Sequence, residues 1–236
     1  MSTTSGAVAL VTGASRGIGR SAARALAGAG YHVVAVARSQ KALEGLDDEI
    51  AKAGGHASLV PMDLKDYEAI DRLGGVIFER WGKLDALCAN AGVLGELMQV
   101  GEAHPKMVEE VFATNVLANQ RLIRSVDRLL RLAEPRGRAV FLTSGAVGAS
   151  RAFWGTYAAS KAALEALVLA YATEVEFAGV KANLLDPGAT RSAMRYKAYP
   201  GEDQDTLKSP DVAAAKIVEM LAPDYPETGA RVTLPR

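Results

Sequence analysis

Three side chains able to hold or move a proton fall in one short stretch: Ser144, Tyr157 and Lys161. Tyr157 follows Ser144 by thirteen positions, and Lys161 follows Tyr157 by four. On a helix, positions i and i+4 share a face, so the phenol and the ammonium can point into one space. A neighbouring positive charge favours the phenolate. A group that ordinarily titrates near pKa ~10 can then exchange a proton nearer neutrality. Ser144 closes the apolar run Ala139-Val140-Phe141-Leu142-Thr143, which reads as a buried strand. Its hydroxyl therefore belongs at a strand's carboxyl end, the edge where open parallel sheets bind ligands. Tyr-x-x-x-Lys alone also suits an exposed Tyr lying over a Lys stem, so the chemistry needs a cofactor site beside it.

The start of the chain offers one. Ala7-Val8-Ala9-Leu10-Val11 reads as a strand buried on both faces, and residues 20–29 read as a helix. Between them lies Gly13-Ala14-Ser15-Arg16-Gly17-Ile18-Gly19. Glycines allow a tight turn and close approach to a pyrophosphate, and the helix N-terminus behind them presents free N–H groups. The spacing is Gly-x3-Gly-x-Gly, not the Gly-x-Gly-x2-Gly of the standard dinucleotide fingerprint. A second strand, His32-Val33-Val34-Ala35-Val36-Ala37-Arg38, follows. Folds that take NAD generally place an acid at its end to bond the ribose 2′-hydroxyl. Here that place holds Ala37 and Arg38, and the nearest acid downstream is Glu44. Arg38 with Arg16 can clamp a 2′-phosphate, because guanidinium groups suit phosphate geometry. NADP(H) is thus favoured over NAD(H), with two solvated surface arginines as the plain alternative.

The elements that must position these groups alternate along the whole chain. Residues 40–53 read as a helix closed by Gly54-Gly55, and residues 58–62 as a strand closed by Asp63-Leu64. Residues 67–80 read as a helix that Gly74-Gly75 weakens, and residues 84–88 as a strand ending at Asn90-Ala91-Gly92. Asp63 can meet an adenine amino group, and the small Ala91-Gly92 turn leaves room for a ribose. Residues 105–132 form one long helical stretch with an apolar face that includes Val111, Leu122, Val126 and Leu130. Asn115 is out of place on that face unless it acts in the site or bonds to backbone. A helix over 155–178, a strand over 181–185, a short lid over 189–208, a helix over 211–221 and a strand over 230–234 complete the pattern. This predicts one α/β domain over residues 1–236, doubly wound and Rossmann-like, with a mainly parallel seven-stranded sheet.

Composition narrows the function. Acidic and basic residues balance at 27 each, without the basic excess of a nucleic-acid footprint. The single Cys88 excludes an internal disulfide and reads as core, and three scattered histidines match no metal-ligand spacing. The polar residues 1–6 lack a basic leader, and no apolar run reaches the roughly 18 residues of a membrane span. A cytoplasmic protein with no membrane partner is expected.

Taken together, Thr12-Gly13-Ala14-Ser15-Arg16-Gly17-Ile18-Gly19, Asp63-Leu64, Asn90-Ala91-Gly92, Asn115, Ser144, Tyr157-Ala158-Ala159-Ser160-Lys161 and Pro187-Gly188 resemble the classical short-chain dehydrogenases/reductases, over essentially the whole chain. The resemblance implies hydride transfer between a nicotinamide and a carbonyl or secondary alcohol. It makes Tyr157 the general acid/base and Ser144 a hydrogen-bond donor to the same substrate oxygen. Lys161 would lower the Tyr157 pKa and bond the nicotinamide ribose, and Asn115 would hold a water of a proton relay. Pro187, Gly188 and Ser192 would line the nicotinamide, Ser192 standing where relatives commonly have Thr, with Thr190 a competitor for that role. Asp186 stands where relatives often have Asn. The ending Thr233-Leu234-Pro235-Arg236 lacks the Asp-Gly-Gly that helps many relatives form tetramers. The expectation is therefore a homodimer through residues 105–132 and 155–178, with a tetramer less supported.

For the substrate, the sequence offers a wall of Val93, Leu94, Phe153, Trp154, Met194 and Tyr196. Phe153-Trp154 can stack a flat or apolar molecule or simply pack under the lid. Arg191 and Arg195 can meet an acidic group or remain solvated. A nucleotide-sensing binding protein on the same fold is the rival reading, disfavoured because Ser144, Tyr157, Lys161 and Asn115 are all kept.

Overall fold

The structure is a computed structural model that describes residues 6–235; the polar start, residues 1–5, and the terminal Arg236 lie outside the described residues. Seven strands form one parallel sheet: β1 Val8–Thr12, β2 His32–Ala37, β3 His56–Pro61, β4 Ala86–Ala89, β5 Arg138–Leu142, β6 Lys181–Asp186 and β7 Arg231–Thr233. Their order is β3-β2-β1-β4-β5-β6-β7, with every pairing parallel. The chain steps outward from β1 to β3, then returns to place β4 on the other side of β1. That reversal opens a crevice at the carboxyl ends of β1 and β4.

The inner strands are mostly apolar because both of their faces are covered, whereas the edge strands β3 and β7 are more polar and more exposed. Alternate residues sort to opposite cores. Val8, Leu10, Val34, Val36, Leu87, Phe141 and Leu184 face the helices α3 Tyr67–Trp81, α5 Ala118–Leu132 and α6 Gly155–Val175. Ala9, Val11, Val33, Ala35, Cys88, Val140 and Leu185 face α1 Gly17–Gly28, α2 Gln40–Lys52 and α8 Pro210–Leu221. Burial pushes the Cys88 thiol up to about 12, so it is a core residue and no nucleophile.

Among the described residues, four of the eight α-helices start on a side-chain cap: Ser39 accepts from the Ala42 amide, Asp66 from Ala69, Ser192 from Arg195, and Ser209 from Asp211. Helix α1 is not among them. Its N-cap is Arg16, no side chain caps it, and its first turn carries no acid. The free amides at that end face the crevice.

The stretch 105–132 is not one regular helix. Helix α4, Pro105–Phe112, passes into a π turn, Ala113–Leu117, before α5 begins. A π turn inserts an extra residue into the helical register. Here it directs Asn115 fully into the interior. The segment 189–208 contains the short helix α7, Ala193–Ala198, and a turn at Gln204–Thr206. Its two ends are tied by a bridge between Thr190 and Lys208.

Candidate active site

Every strand of the inner sheet delivers part of the site at its carboxyl end. Gly13 follows β1, Arg38 follows β2, Asp63 lies beyond β3, Asn90 follows β4, Ser144 lies beyond β5 and Pro187 follows β6. The glycine loop has to be glycine where it matters. Gly13 has φ +68°, and a Cβ on Gly19 would lie 2.3 Å from the Gly13 carbonyl oxygen. The loop is locked against β4 by Asn90, whose Nδ2 donates to the Thr12 carbonyl at 3.0 Å. The Ala91 amide in turn donates to Thr12 Oγ1 at 3.1 Å. The Asn90 side chain therefore brackets the two strand ends.

A cavity of about 570 Å³ opens where β5 and β6 end. Ser144, Tyr157, Asp186, Pro187, Gly188, Thr190, Ser192 and Ile18 line it, with Met194 and Trp154 above. Tyr157, Lys161 and Asn115 are all buried, and the phenol oxygen lies 3.9 Å from Met194 Sδ. Burial pushes the Tyr157 phenol up to about 12, a hydrogen bond with Ser144 pulls it down, and the Asp186 carboxylate adds to the rise. The phenol is thus neutral and loaded with its proton. Burial pushes the Lys161 ammonium down to about 8, against the opposing charge of Glu165. Its Nζ donates to the Leu142 carbonyl at 2.8 Å.

Asn115 has its side chain fully engaged. Its Oδ1 accepts from the Val93 amide at 2.8 Å, and its Nδ2 donates to the Val93 carbonyl and to Ser160 Oγ at 2.9 and 3.0 Å. Ser160 Oγ donates to the Tyr157 carbonyl at 2.7 Å. The side chain thus clamps the loop after β4 to the helix bearing Tyr157. The Asn115 backbone carbonyl accepts from Asn119 Nδ2 at 2.9 Å.

The residues fit a dinucleotide. The uncapped N-terminus of α1 suits a pyrophosphate. A Cβ on Gly92 would lie 3.2 Å from Asn115 Oδ1 and 3.4 Å from Lys161 Nζ and would crowd both side chains. Arg16 and Arg38 are both exposed along the same edge, and the partly buried Asp63 accepts from the Lys65 amide through Oδ1 at 2.9 Å. Leu64 packs against the core and Ser15 stays half-buried in the loop. Thr190 is buried and its hydroxyl donates to the Pro187 carbonyl at 3.0 Å. Ser192 caps α7, accepting from the Arg195 amide at 3.1 Å, which leaves its own O–H free to donate.

The expected substrate wall divides. Leu94, Trp154 and Met194 line the cavity, whereas Phe153 and Tyr196 are more than half exposed and Val93 is outside its lining, its backbone bonded to Asn115. Phe153 has φ +72°, a backbone state that turns it outward while the next residue, Trp154, turns in. Arg151 and Tyr199 take the vacated places in the lining. The sequence reading also missed Arg231. Its guanidinium reaches Glu165 Oε1 at 2.8 Å, the Ser144 carbonyl at 3.2 Å and Asp186 Oδ2 at 3.5 Å. Glu165 stands four positions after Lys161, a spacing that could have flagged it; Arg231 carries no local signal at all.

The chain is similar to known proteins in sequence and in fold. The chain is 35% identical to the oxidoreductase YciK of Escherichia coli over 206 residues, 86% of this chain and 81% of that protein. It is 30% identical to an NADPH-dependent pterin aldehyde reductase of Arabidopsis thaliana, across 90% of this chain and 86% of the other. The solved YciK structure superposes with a TM-score of 0.90 at 33% identity, covering 96% of this chain and 94% of that one. A short chain dehydrogenase from Escherichia coli solved with NADPH gives 0.90 at 33% identity, covering 96% and 95%. The family described as short chain dehydrogenase matches residues 7–203. With that match laid over a site of this shape, the chain belongs to the short-chain dehydrogenases, oxidoreductases that work between alcohols and carbonyl groups.

Proposed function

We propose that this protein is an NADP(H)-dependent reductase of small carbonyl compounds, with Tyr157 as general acid. The observation that carries this reading is the convergence of the Ser144 and Tyr157 hydroxyls at one cavity wall, beside the crevice of the sheet. When bound, the dinucleotide supplies the hydride that forms the new C–H bond and is itself oxidised. Ser144 donates to the carbonyl oxygen and fixes its position. Tyr157 releases its hydroxyl proton to that oxygen as negative charge develops there, so the C=O π bond is replaced by C–H and O–H bonds. Lys161 stands one helical turn away to bond the nicotinamide ribose and to favour the phenolate left behind. Asn115 keeps the Val93 loop and the Tyr157 helix in register.

Pro187, Gly188, Ser192 and Thr190 would flank the nicotinamide end, Gly13 to Gly19 and Asn90 to Gly92 the middle, and Asp63, Leu64, Arg16 and Arg38 the adenosine end. Arg38 in the place of the expected acid supports a 2′-phosphate, and one structural neighbour was solved with NADPH. Residues 1–236 would act as one domain, with 189–208 as its substrate lid and Met194 its contact with Tyr157. A homodimer through α4 to α6 is supported by Leu117, Leu132 and Leu169, apolar side chains about half exposed on those helices. Among the described residues no helix is long and apolar enough to cross a membrane. Replacing Tyr157 with Phe tests the reading. Turnover of aldehydes should fall by roughly 10²–10⁴-fold while NADPH is still bound. Undiminished turnover in Tyr157→Phe would rule Tyr157 out as the acid.

A further inference from the structure

Resting on the reductase reading, we propose that the substrate is a planar aromatic aldehyde or ketone carrying a carboxylate, recognised by Trp154 and Tyr199 through its ring and by Arg151 through its anion. Trp154 and Tyr199 pack on each other with ring centroids 5.6 Å apart at 32°, and both border the cavity. Trp154 meets the Tyr157 ring edge-on at 5.9 Å, so the aromatic wall runs directly up to the proton donor. Offset or edge-on contact with such faces favours an aromatic guest over a saturated one of the same size.

Arg151 lines the same cavity, its guanidinium 5.8 Å from the Trp154 ring centroid. It donates to the Tyr199 hydroxyl at 3.0 Å. A guanidinium has five N–H donors, so that bond holds the group in place and leaves a fork for a carboxylate. Two residues of left-handed backbone, Ser150 at φ +46° and Phe153 at φ +72°, bracket this short loop. Such conformations are held at a cost and cluster where a ligand is clamped.

The other charges along the cavity are already matched. Arg195 forms paired bonds of 2.5 Å with Glu202 and lies 4.0 Å over the Tyr199 ring. Asp186 accepts from the Gly188 amide at 3.0 Å and faces Arg231 at 3.5 Å. Arg231 at the Ser144 end is already paired with Asp186 and Glu165, so it does not compete with Arg151 for the guest's anion, and this orients the guest. The carbonyl goes to Ser144 and Tyr157, and the carboxylate goes to Arg151. Arg151, Trp154 and Tyr157 succeed one another in steps of 5.8 and 5.9 Å, a run suited to one or two fused rings.

Binding and turnover are read separately. Calorimetric titration of the enzyme–NADP⁺ complex with benzoate, cyclohexanecarboxylate and benzamide should give benzoate the tightest binding. Replacing Arg151 with Met should weaken benzoate about tenfold relative to benzamide, the size expected of a charge-assisted hydrogen bond. NADPH consumption should then rank para-carboxybenzaldehyde above benzaldehyde, and both above cyclohexanecarbaldehyde. Equal binding of benzoate and cyclohexanecarboxylate overturns the aromatic clamp. An unchanged benzoate-to-benzamide ratio in Arg151→Met overturns the anion site, as does faster turnover of benzaldehyde than of its carboxylate. Benzoate bound as expected, with none of the aldehydes reduced, overturns the reductase reading and leaves the recognition site standing. Aldehydes reduced without regard to ring or charge do the reverse.

Discussion

Tyr157 and Lys161 sit one helical turn apart, yet burial acts on them in opposite directions. The phenol is pushed up to about 12 and the ammonium down to about 8, because burial penalises the charged form of each. For carbonyl reduction, Tyr157 must begin protonated, and it does so across the whole neutral range. The group that loses its working form first is Lys161, whose positive charge disappears as pH rises through about 8. The kcat/KM for reduction should therefore hold level below that value and decline above it. A decline that starts well below neutrality would mean another group is limiting. Ser144, Tyr157 and Lys161 were legible in the sequence because one helical repeat and one strand end fix their relation. Arg151, Tyr199 and Arg231 were not. Arg151 meets a residue 48 positions away and Arg231 one 87 positions away, and only the closed sheet and lid bring such pairs together.

At the scale of elements, two adjacent glycines in α3 separate a packing requirement from a propensity penalty. Gly74-Gly75 reads in the sequence as a weakness in a helix, since glycine disfavours helical backbone. The structure gives the two residues different roles. Gly74 is buried where α3 meets α5: its amide donates to Ser125 Oγ at 3.0 Å, and a Cβ there would lie 2.2 Å from the Ser125 carbonyl oxygen. Gly75 faces open space. Gly74→Ala should destabilise by about 1–3 kcal/mol through overpacking. Gly75→Ala should stabilise by about 0.5–1 kcal/mol. Urea midpoints measured at constant m-value distinguish them, and equal shifts of one sign would contradict the assignment. The π turn at Ala113–Leu117 was hidden for a related reason. Its apolar positions still follow a helical period on either side, so the extra residue leaves almost no trace in the pattern except a misplaced Asn115.

Across the whole molecule, the sheet was the most legible feature, because alternation of short apolar runs with amphipathic helices leaves few arrangements. The strand order then determines that Gly13, Arg38, Asp63, Asn90, Ser144 and Pro187 share one edge. The lid was legible only as an irregular segment, and the wall it makes with Trp154 depends on backbone angles that composition does not specify. What unites the edge, in this account, is a dinucleotide lying along it with its 2′-phosphate at Arg16 and Arg38. A fluorescence titration of the purified protein with NADPH and with NADH tests this most directly. Charge-assisted bonds to the phosphate, each about 1.5–3 kcal/mol, should make NADPH bind at least roughly tenfold more tightly. NADH binding as tight as NADPH, or tighter, would contradict it.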